Sequence, residues 1–98
     1  MACHLSIAWK RQALKDLRAL PPATQKRIQN ALHRLVTEGY GDVALVRGVE
    51  ARVYRLRVGD WRVFFTYEVA TAVHAGGETQ RRLVVARIAH RREAYGKS

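Results

Sequence analysis

The stretch YRLRVGDWRVFF, residues 54–65, decides the fold because it reads as two short β-strands joined by a tight turn. The Gly59-Asp60 pair between them is typical of a two-residue hairpin loop, since glycine readily adopts the positive φ angle that such turns require. A hairpin closed at this point places Arg57 directly opposite Arg62. This segment therefore predicts the register of the two central strands.

That register sorts the side chains onto two faces, because successive residues of a strand point to opposite sides of a sheet. The first face is apolar and large enough to receive helices; it carries Tyr54, Leu56, Val58, Trp61, Val63, Phe65 and Tyr67. The second face is basic; it carries Arg55, Arg57, Arg62, Phe64, Thr66 and Glu68. Like charges directly opposite each other destabilise a strand pair, so removal of Arg62 is expected to leave the fold intact. A like-charge pair that breaks this rule tends to mark a functional site.

Before the hairpin, the sequence predicts a strand at residues 3 to 8 and then two helices that form an αα-hairpin. The first helix begins at Trp9 and is stopped by Pro21 and Pro22; its apolar stripe is Trp9, Ala13, Leu14, Leu17 and Leu20. The second ends near Gly39 and Gly41; its stripe is Ile28, Ala31, Leu32, Leu35 and Val36. Three cations lie off this stripe and are interpreted as a solvated face: Lys26, Arg27 and Arg34.

The rest of the chain predicts strands. Their ranges are Val43 to Val46, Arg52 to Val58, Trp61 to Val69 and Arg82 to Ala89, with a long loop from Ala70 to Gln80. In the last strand, alternation places Val84, Ala86 and Ile88 inward and Leu83, Val85, Arg87 and Arg91 outward. The order β-α-α-β-β-β-β predicts a single α+β domain over residues 1–98, with the αα-hairpin on one face of a largely antiparallel four- to five-stranded sheet.

Composition indicates the class of partner. The chain has 98 residues, with 18 Lys plus Arg against 8 Asp plus Glu, which gives a net charge of +10. Arginine dominates the cations, and its planar guanidinium binds phosphate in a bidentate manner and stacks on bases. Nucleic acid is therefore the leading partner class.

Other features exclude whole classes of protein. No apolar run approaches the roughly 20 residues that a membrane span needs, and the first residues lack the features of a secretory signal, so a cytoplasmic protein is expected. Cys3 is the only cysteine and is interpreted as a small buried residue of the first strand. Three histidines, His4, His33 and His74, are too scattered for a metal site, so no metal or cofactor is expected.

The segment His90-Arg91-Arg92-Glu93-Ala94-Tyr95 follows the last strand. In a helical turn Arg91 and Tyr95 share one side, which sets a phenol beside a guanidinium. His90 alternates away from Arg91, so a strand that continued through His90 would turn this imidazole away from the basic face.

The chain resembles the RelE/ParE superfamily of bacterial type II toxins. The resemblance covers most of the chain and is carried by Trp9 with the two helices after it, by Arg47-Gly48, by residues 54–65 and by residues 90–95. It implies a toxin that is neutralised by a cognate antitoxin, which wraps around the toxin and covers its basic face. RelE-like members are ribosome-dependent endoribonucleases that cut mRNA in the A site, whereas ParE-like members inhibit DNA gyrase.

Carried over by position, the resemblance implies roles for single residues. Arg62 is similar to the strand arginine that holds the scissile phosphate, Arg91 to the second arginine, and Tyr95 to the C-terminal tyrosine that stacks on or protonates RNA. Arg55 and Arg57 stand where RelE has lysines. Because arginine is not an ordinary base, Tyr95 and His90 remain the candidates for proton transfer. Arg55, Arg57, Arg87 and Arg92 are expected to bind nucleic acid. Both readings, endoribonuclease and gyrase inhibitor, stay open on the sequence.

Overall fold

The computed structural model describes residues 5–48, 52–72 and 78–94. Its elements are β1 (Leu5–Trp9), α1 (Arg11–Arg18), α2 (Pro22–Glu38), β2 (Val43–Leu45), β3 (Tyr54–Val58), β4 (Trp61–Ala72), β5 (Glu78–His90) and α3 (Arg91–Ala94). Cys3, His4, His74 and Tyr95 lie outside the described residues, so the predictions made for them stay predictions. No helix within the described ranges is long and apolar enough to cross a membrane.

The five strands form one sheet in the order β1-β5-β4-β3-β2. β1 runs parallel to β5, and the three other strand pairs are antiparallel. Helices α1 and α2 pack on one face of this sheet, where their apolar side chains join those of β3, β4 and β5 in the core. The α+β class, the αα-hairpin on one face and the largely antiparallel sheet are thereby confirmed.

The core is built from the apolar face that the hairpin register predicts. Phe65 and Val63 of β4 are fully buried, and Leu56 of β3 is 1% exposed. They pack with the helical residues Ile28 and Leu32, which are also fully buried. Tyr54 and Tyr67 extend this core as an aromatic group around Phe65, with ring centroids 5.4–5.6 Å apart.

The β3–β4 hairpin has the predicted register, with Arg57 opposite Arg62 and Val58 opposite Trp61. Gly59 has a φ of +60°, and no non-glycine residue in the described ranges has a positive φ. This sign pattern belongs to a type II′ turn, which takes glycine at its first central position. The turn residues therefore act as the sequence indicates.

The facing of the last strand was predicted wrongly in part. β5 carries a bulge between its pairing with Phe64 and with Phe65, since Phe64 lies opposite Arg87 whereas Phe65 lies opposite Val85. The extra residue, Ala86, shifts the alternation by one position. Leu83 and Val85, which were expected to point outward, are therefore fully buried in the core together with Ile88, and Val84 shares the opposite face with Thr66.

Several element boundaries also differ from the prediction. Trp9 ends β1 and does not begin α1, because its backbone pairs with Val85. β4 and β5 extend through Ala72 and from Glu78, where a loop over Ala70 to Gln80 was expected. The two strands form twelve cross-strand pairs, which run from Trp61 opposite His90 to Ala72 opposite Glu78.

Beyond the end of β1, a carboxylate side chain takes the place of a strand partner for β5. Beyond Trp9, β1 supplies no further strand partner, and the Asp16 Oδ2 atom of α1 accepts a hydrogen bond from the Ile88 backbone N–H at 2.9 Å. Gln12 Nε2 donates to the other Asp16 oxygen at 2.8 Å. A buried backbone donor needs such a partner, so this contact fixes α1 on the sheet.

Candidate nucleic-acid interface

The face of the sheet that α1 and α2 leave uncovered carries four arginines and one phenylalanine. We call this surface the arginine face; its members are Arg55 and Arg57 on β3, Arg62 and Phe64 on β4, and Arg87 on β5. Strand pairing brings Arg87 beside the members at residues 55–64, which are close to one another in sequence. The predicted basic face is thus present, and the bulge at Ala86 does not move Arg87 off it.

Phe64 occupies the middle of the arginine face. Arg55 lies directly opposite it on β3, and Arg87 lies opposite it on β5. Neighbouring strands are about 4.8 Å apart, so the ring has a guanidinium-bearing residue on each side. Aromatic rings between guanidiniums are the surface on which single-stranded RNA bases stack.

Arg62 differs from the other arginines because it is only 5% exposed. Its Nη1 atom donates to the carbonyl oxygens of Gly59 at 2.9 Å and of Trp61 at 3.0 Å. These bonds fold the side chain back over the hairpin turn. Arg62 is therefore not a solvated charge, whereas Arg57 opposite it is exposed. The effect of its loss on the fold stays a prediction, and the burial and hydrogen bonds favour destabilisation over an intact fold.

The same hairpin turn holds Arg91. The Arg91 backbone N–H donates to the Asp60 carbonyl oxygen at 2.7 Å, and Arg91 Nε lies 3.8 Å from Asp60 Oδ1. Both side chains are more than half exposed, so the ion pair itself adds little stability. The ion pair instead helps to position Arg91, which begins α3 beside the turn to which Arg62 is hydrogen-bonded.

His90 lies on the other side of the sheet from the arginine face. It is opposite Trp61, a residue of the helix-covered face, and the two rings meet edge to face with centroids 5.1 Å apart. β5 continues through His90, so the alternation of the strand turns this imidazole away from the arginine face. Its Nδ1 accepts a hydrogen bond from the Arg92 backbone N–H at 3.3 Å. The structure does not bring His90 together with Arg62.

The remaining charges of the region lie in two places. Arg92 is exposed in α3. Glu68 shares the face of Phe64 but lies opposite Arg82, toward the far end of β4. Within the described ranges, neither a histidine nor a tyrosine lies on the arginine face.

One titratable group is shifted on the helix-covered face. Burial raises the pKa of Tyr67 above its ordinary value of 10.0, and the opposing effect of Arg81 is smaller. The Arg81 guanidinium carbon lies 5.1 Å from the centre of the Tyr67 ring. Tyr67 is therefore a neutral phenol near neutral pH and acts as a packing residue.

Arg27 and Arg34 of α2 are exposed, as predicted for a solvated face, but each also lies against another segment of the chain. Arg27 lies against the hairpin turn, where its guanidinium is 2.9–3.0 Å from the position that a Cβ on Gly59 would take. Arg34 stacks on Tyr40, with 4.5 Å from guanidinium carbon to ring centre. The only signal in the sequence was their position off the apolar stripe, which does not distinguish contact with another segment from exposure to water.

No group of histidine, cysteine, aspartate and glutamate side chains that could hold a metal ion occurs in the described part of the chain.

Comparison with known proteins gives one family and one fold. Residues 7–95 match the sequence model of a family described as the ParE toxin of the type II toxin-antitoxin system parDE. No curated protein sequence matches this chain.

Solved structures with this fold include three toxin-antitoxin complexes. The archaeal RelE-RelB complex from Pyrococcus horikoshii OT3 matches with a TM-score of 0.63 and 22% identity over 90% of this chain and 96% of that chain. The RelB-RelE complex from Methanococcus jannaschii gives 0.62 and 20%, over 93% and 98%. The RelBE2 complex from Mycobacterium tuberculosis gives 0.65 and 22%, over 88% and 96%. At these identities the likeness shows a shared fold.

Proposed function

The chain belongs to the ParE toxin family of type II toxin-antitoxin systems, and from this premise we propose that it inhibits growth as a ribosome-dependent endoribonuclease of mRNA. The observation that carries the proposal is the arginine face, in which Arg55 and Arg87 flank Phe64 on neighbouring strands. A surface of this composition suits single-stranded RNA, since guanidiniums bind the phosphates and the ring stacks on a base.

The chemistry proposed is cleavage without a metal ion. The ribose 2′-oxygen loses its proton and bonds to the adjacent phosphorus, the bond from phosphorus to the 5′-oxygen breaks, and that leaving oxygen takes up a proton. The protein must align the reacting atoms and stabilise the charge that develops on the phosphorane. Exposed Arg57 and Arg87 are proposed to bind the phosphate backbone, as is Arg55, and Arg92 to extend this contact.

Arg62 is proposed to stabilise the scissile phosphate from a fixed position. Its bonds to Gly59 and Trp61 hold the positive charge in place before substrate arrives, and preorganised charge needs no rearrangement during the reaction. Arg91, at the same turn, is the second arginine of this proposal. Because His90 faces away, proton transfer is assigned to Tyr95 and no longer to His90.

Inhibition of DNA gyrase is the second candidate. It is favoured by the lack of any histidine or tyrosine on the arginine face within the described residues, since a toxin that only binds needs no group for proton transfer. In this case the basic sheet surface binds gyrase and no RNA is cut.

A cognate antitoxin is the proposed neutralising partner. The chain carries a net charge of +10, and its fold is that of RelE in complexes with RelB. A segment with carboxylates and apolar anchors would match this surface, because charge complementarity speeds encounter and buried apolar groups hold the complex. Co-expression with the product of a neighbouring short reading frame tests this: it should co-purify with the chain and restore growth.

Induction in a bacterial cell separates the two candidates. The nuclease proposal expects prompt cleavage of messages near start codons, with unchanged DNA supercoiling. The matched variants are Arg87→Ala, which should relieve toxicity, and Arg18→Ala, which removes one exposed charge from α1 and should not. Intact messages together with an SOS response would contradict the nuclease proposal and support inhibition of gyrase.

A further inference from the structure

A second basic site lies around the edge of the sheet from the arginine face. It is a cleft of about 380 Å³ between the C-terminal half of α2, residues 40–42 and β3. The lining residues are Ala31, Arg34, Tyr40, Gly41, Asp42, Leu56 and Arg57. We call it the edge cleft.

One wall of the edge cleft is a stacked pair of planar groups. The Arg34 guanidinium carbon lies 4.5 Å from the centre of the Tyr40 ring, and Tyr40 is 63% exposed although it is a large aromatic residue. Arg34 Nε is 3.9 Å from Glu38 Oε1, with both side chains more than half exposed. An ion pair of this length in water is weak, so the guanidinium keeps most of its capacity to bind another anion.

The position of Tyr40 is fixed by the glycine that follows it. A Cβ on Gly41 would lie 3.0 Å from Leu56 Cδ1 and 3.5 Å from Leu35 Cδ1. The backbone at Gly41 thus lies against the core, as close as packing allows. Ala31 and Leu56 add small and buried apolar groups at the same place. The backbone next to Tyr40 therefore lies against the core at the base of the cleft.

Arg57 joins the edge cleft to the arginine face. β2 begins at Val43, opposite Leu56, and one residue before it the Asp42 carbonyl oxygen accepts a hydrogen bond from the Arg57 backbone N–H at 2.9 Å. Arg57 is an exposed residue of the arginine face and is also one of the residues that line the cleft. A strand of nucleic acid on the arginine face can continue across Arg57 into the cleft.

We propose that the edge cleft binds one nucleotide of the single-stranded RNA that lies on the arginine face, and this rests on the proposed RNA binding. The base stacks on the Arg34–Tyr40 pair, and a phosphate is bound between Arg34 and Arg57. Asp42 is positioned to accept a hydrogen bond from a base N–H or a 2′-hydroxyl. The Arg34 and Arg57 guanidiniums suit a phosphate, and the planar wall suits a base as its neighbour.

The test is the affinity of the purified chain for a fluorescent hexauridine RNA, measured by anisotropy at low salt. Tyr40→Ala should weaken binding by about five- to a hundredfold, the effect of losing one stacked base. Tyr40→Phe keeps the ring and should bind like the parent. Arg34→Ala should weaken binding, whereas Arg18→Ala, a matched loss of charge on α1, should not beyond its small long-range effect. Thermal melting confirms that each variant is folded.

The outcomes separate this inference from the proposed function. Normal binding by Tyr40→Ala and Arg34→Ala, together with weak binding by Arg87→Ala, would overturn the edge cleft as an RNA site and leave the arginine face standing. Failure of the parent chain to bind RNA would overturn both. Retained RNA affinity in Tyr40→Ala with loss of antitoxin co-purification would show that the cleft takes a protein segment, which also overturns the inference.

Discussion

The two faces of the sheet differ in what holds their side chains. On the helix-covered face, Phe65, Val63 and Leu56 are held by packing and are almost wholly buried. On the arginine face, Arg57 and Arg87 are exposed to solvent. The same strands thus carry the stability of the fold on one side and a binding surface on the other, because successive residues alternate. Arg62 lies on the arginine face by strand alternation, but it is buried like the residues of the helix-covered face.

The largest effect is expected at neighbouring residues that point to opposite faces. Phe65→Ala should cost about 3–5 kcal/mol of folding free energy because it leaves a cavity in the core. Phe64→Ala removes the same ring from the arginine face and should cost much less stability while weakening RNA binding. Urea denaturation and anisotropy measure the two effects. Equal losses of stability in both variants would break the division between the faces.

Arg62 tests whether a charge on the arginine face can hold the fold. Arg62→Ala should cost about 2 kcal/mol, since hydrogen bonds from a charged donor contribute about 1.5–3 kcal/mol. The control is Arg57→Ala, which removes the opposite, exposed arginine and should stay within about 0.5 kcal/mol of the parent. The urea midpoints of the two variants are compared. Indistinguishable midpoints would show that Arg62 stabilises the fold no more than an exposed arginine does.

Arg87 should show the reverse behaviour. Arg87→Ala should keep the urea midpoint but reduce RNA affinity about tenfold and lower the slope of log affinity against log salt by about 1, as loss of one phosphate contact does. Arg18→Ala serves as the charge control. A salt slope equal to that of the parent would remove Arg87 from the binding surface.

The smallest effect concerns the pH dependence of the helix-covered face. Burial raises the pKa of Tyr67, so the folded chain keeps this proton at a pH where the unfolded chain has lost it. The resulting stability is complete below pH 10 and is lost as the pH rises through the raised pKa of the folded state. Tyr67→Phe should therefore lose less stability than the parent between pH 9 and pH 11. Parallel urea midpoints in the two proteins would contradict this assignment.

The sequence predicted the fold wherever periodicity and a turn dipeptide acted together. The hairpin at Gly59 set the register of β3 against β4, and the helical stripes set which sides of α1 and α2 are buried. The bulge at Ala86 left no signal in the alternation, because alanine is compatible with either face. It reversed the predicted facing of Leu83 and Val85.

The candidate site was predicted where strand pairing alone assembles it. Arg55, Arg57 and Arg87 lie on one face as expected, and the alternation that hides His90 was visible in the sequence. The hydrogen bonds from Arg62 to the turn were not visible in the sequence, because they depend on how a long side chain folds back over Gly59 and Trp61. The Arg34–Tyr40 stack likewise joins a helix to the segment after it, a contact that no periodicity encodes.

The parallel pairing of β1 with β5 has a consequence for how the chain folds. Trp9 is paired with Val85, so the two partners are separated by almost the whole domain. Contacts of such long sequence separation form slowly, since the entropy of closing the intervening loop is lost before the pairing stabilises the chain. Because β5 follows β1 by most of the chain, β1 has no strand partner until β5 has been synthesised. The sheet is therefore completed late, after the hairpin and the two helices have formed from local contacts.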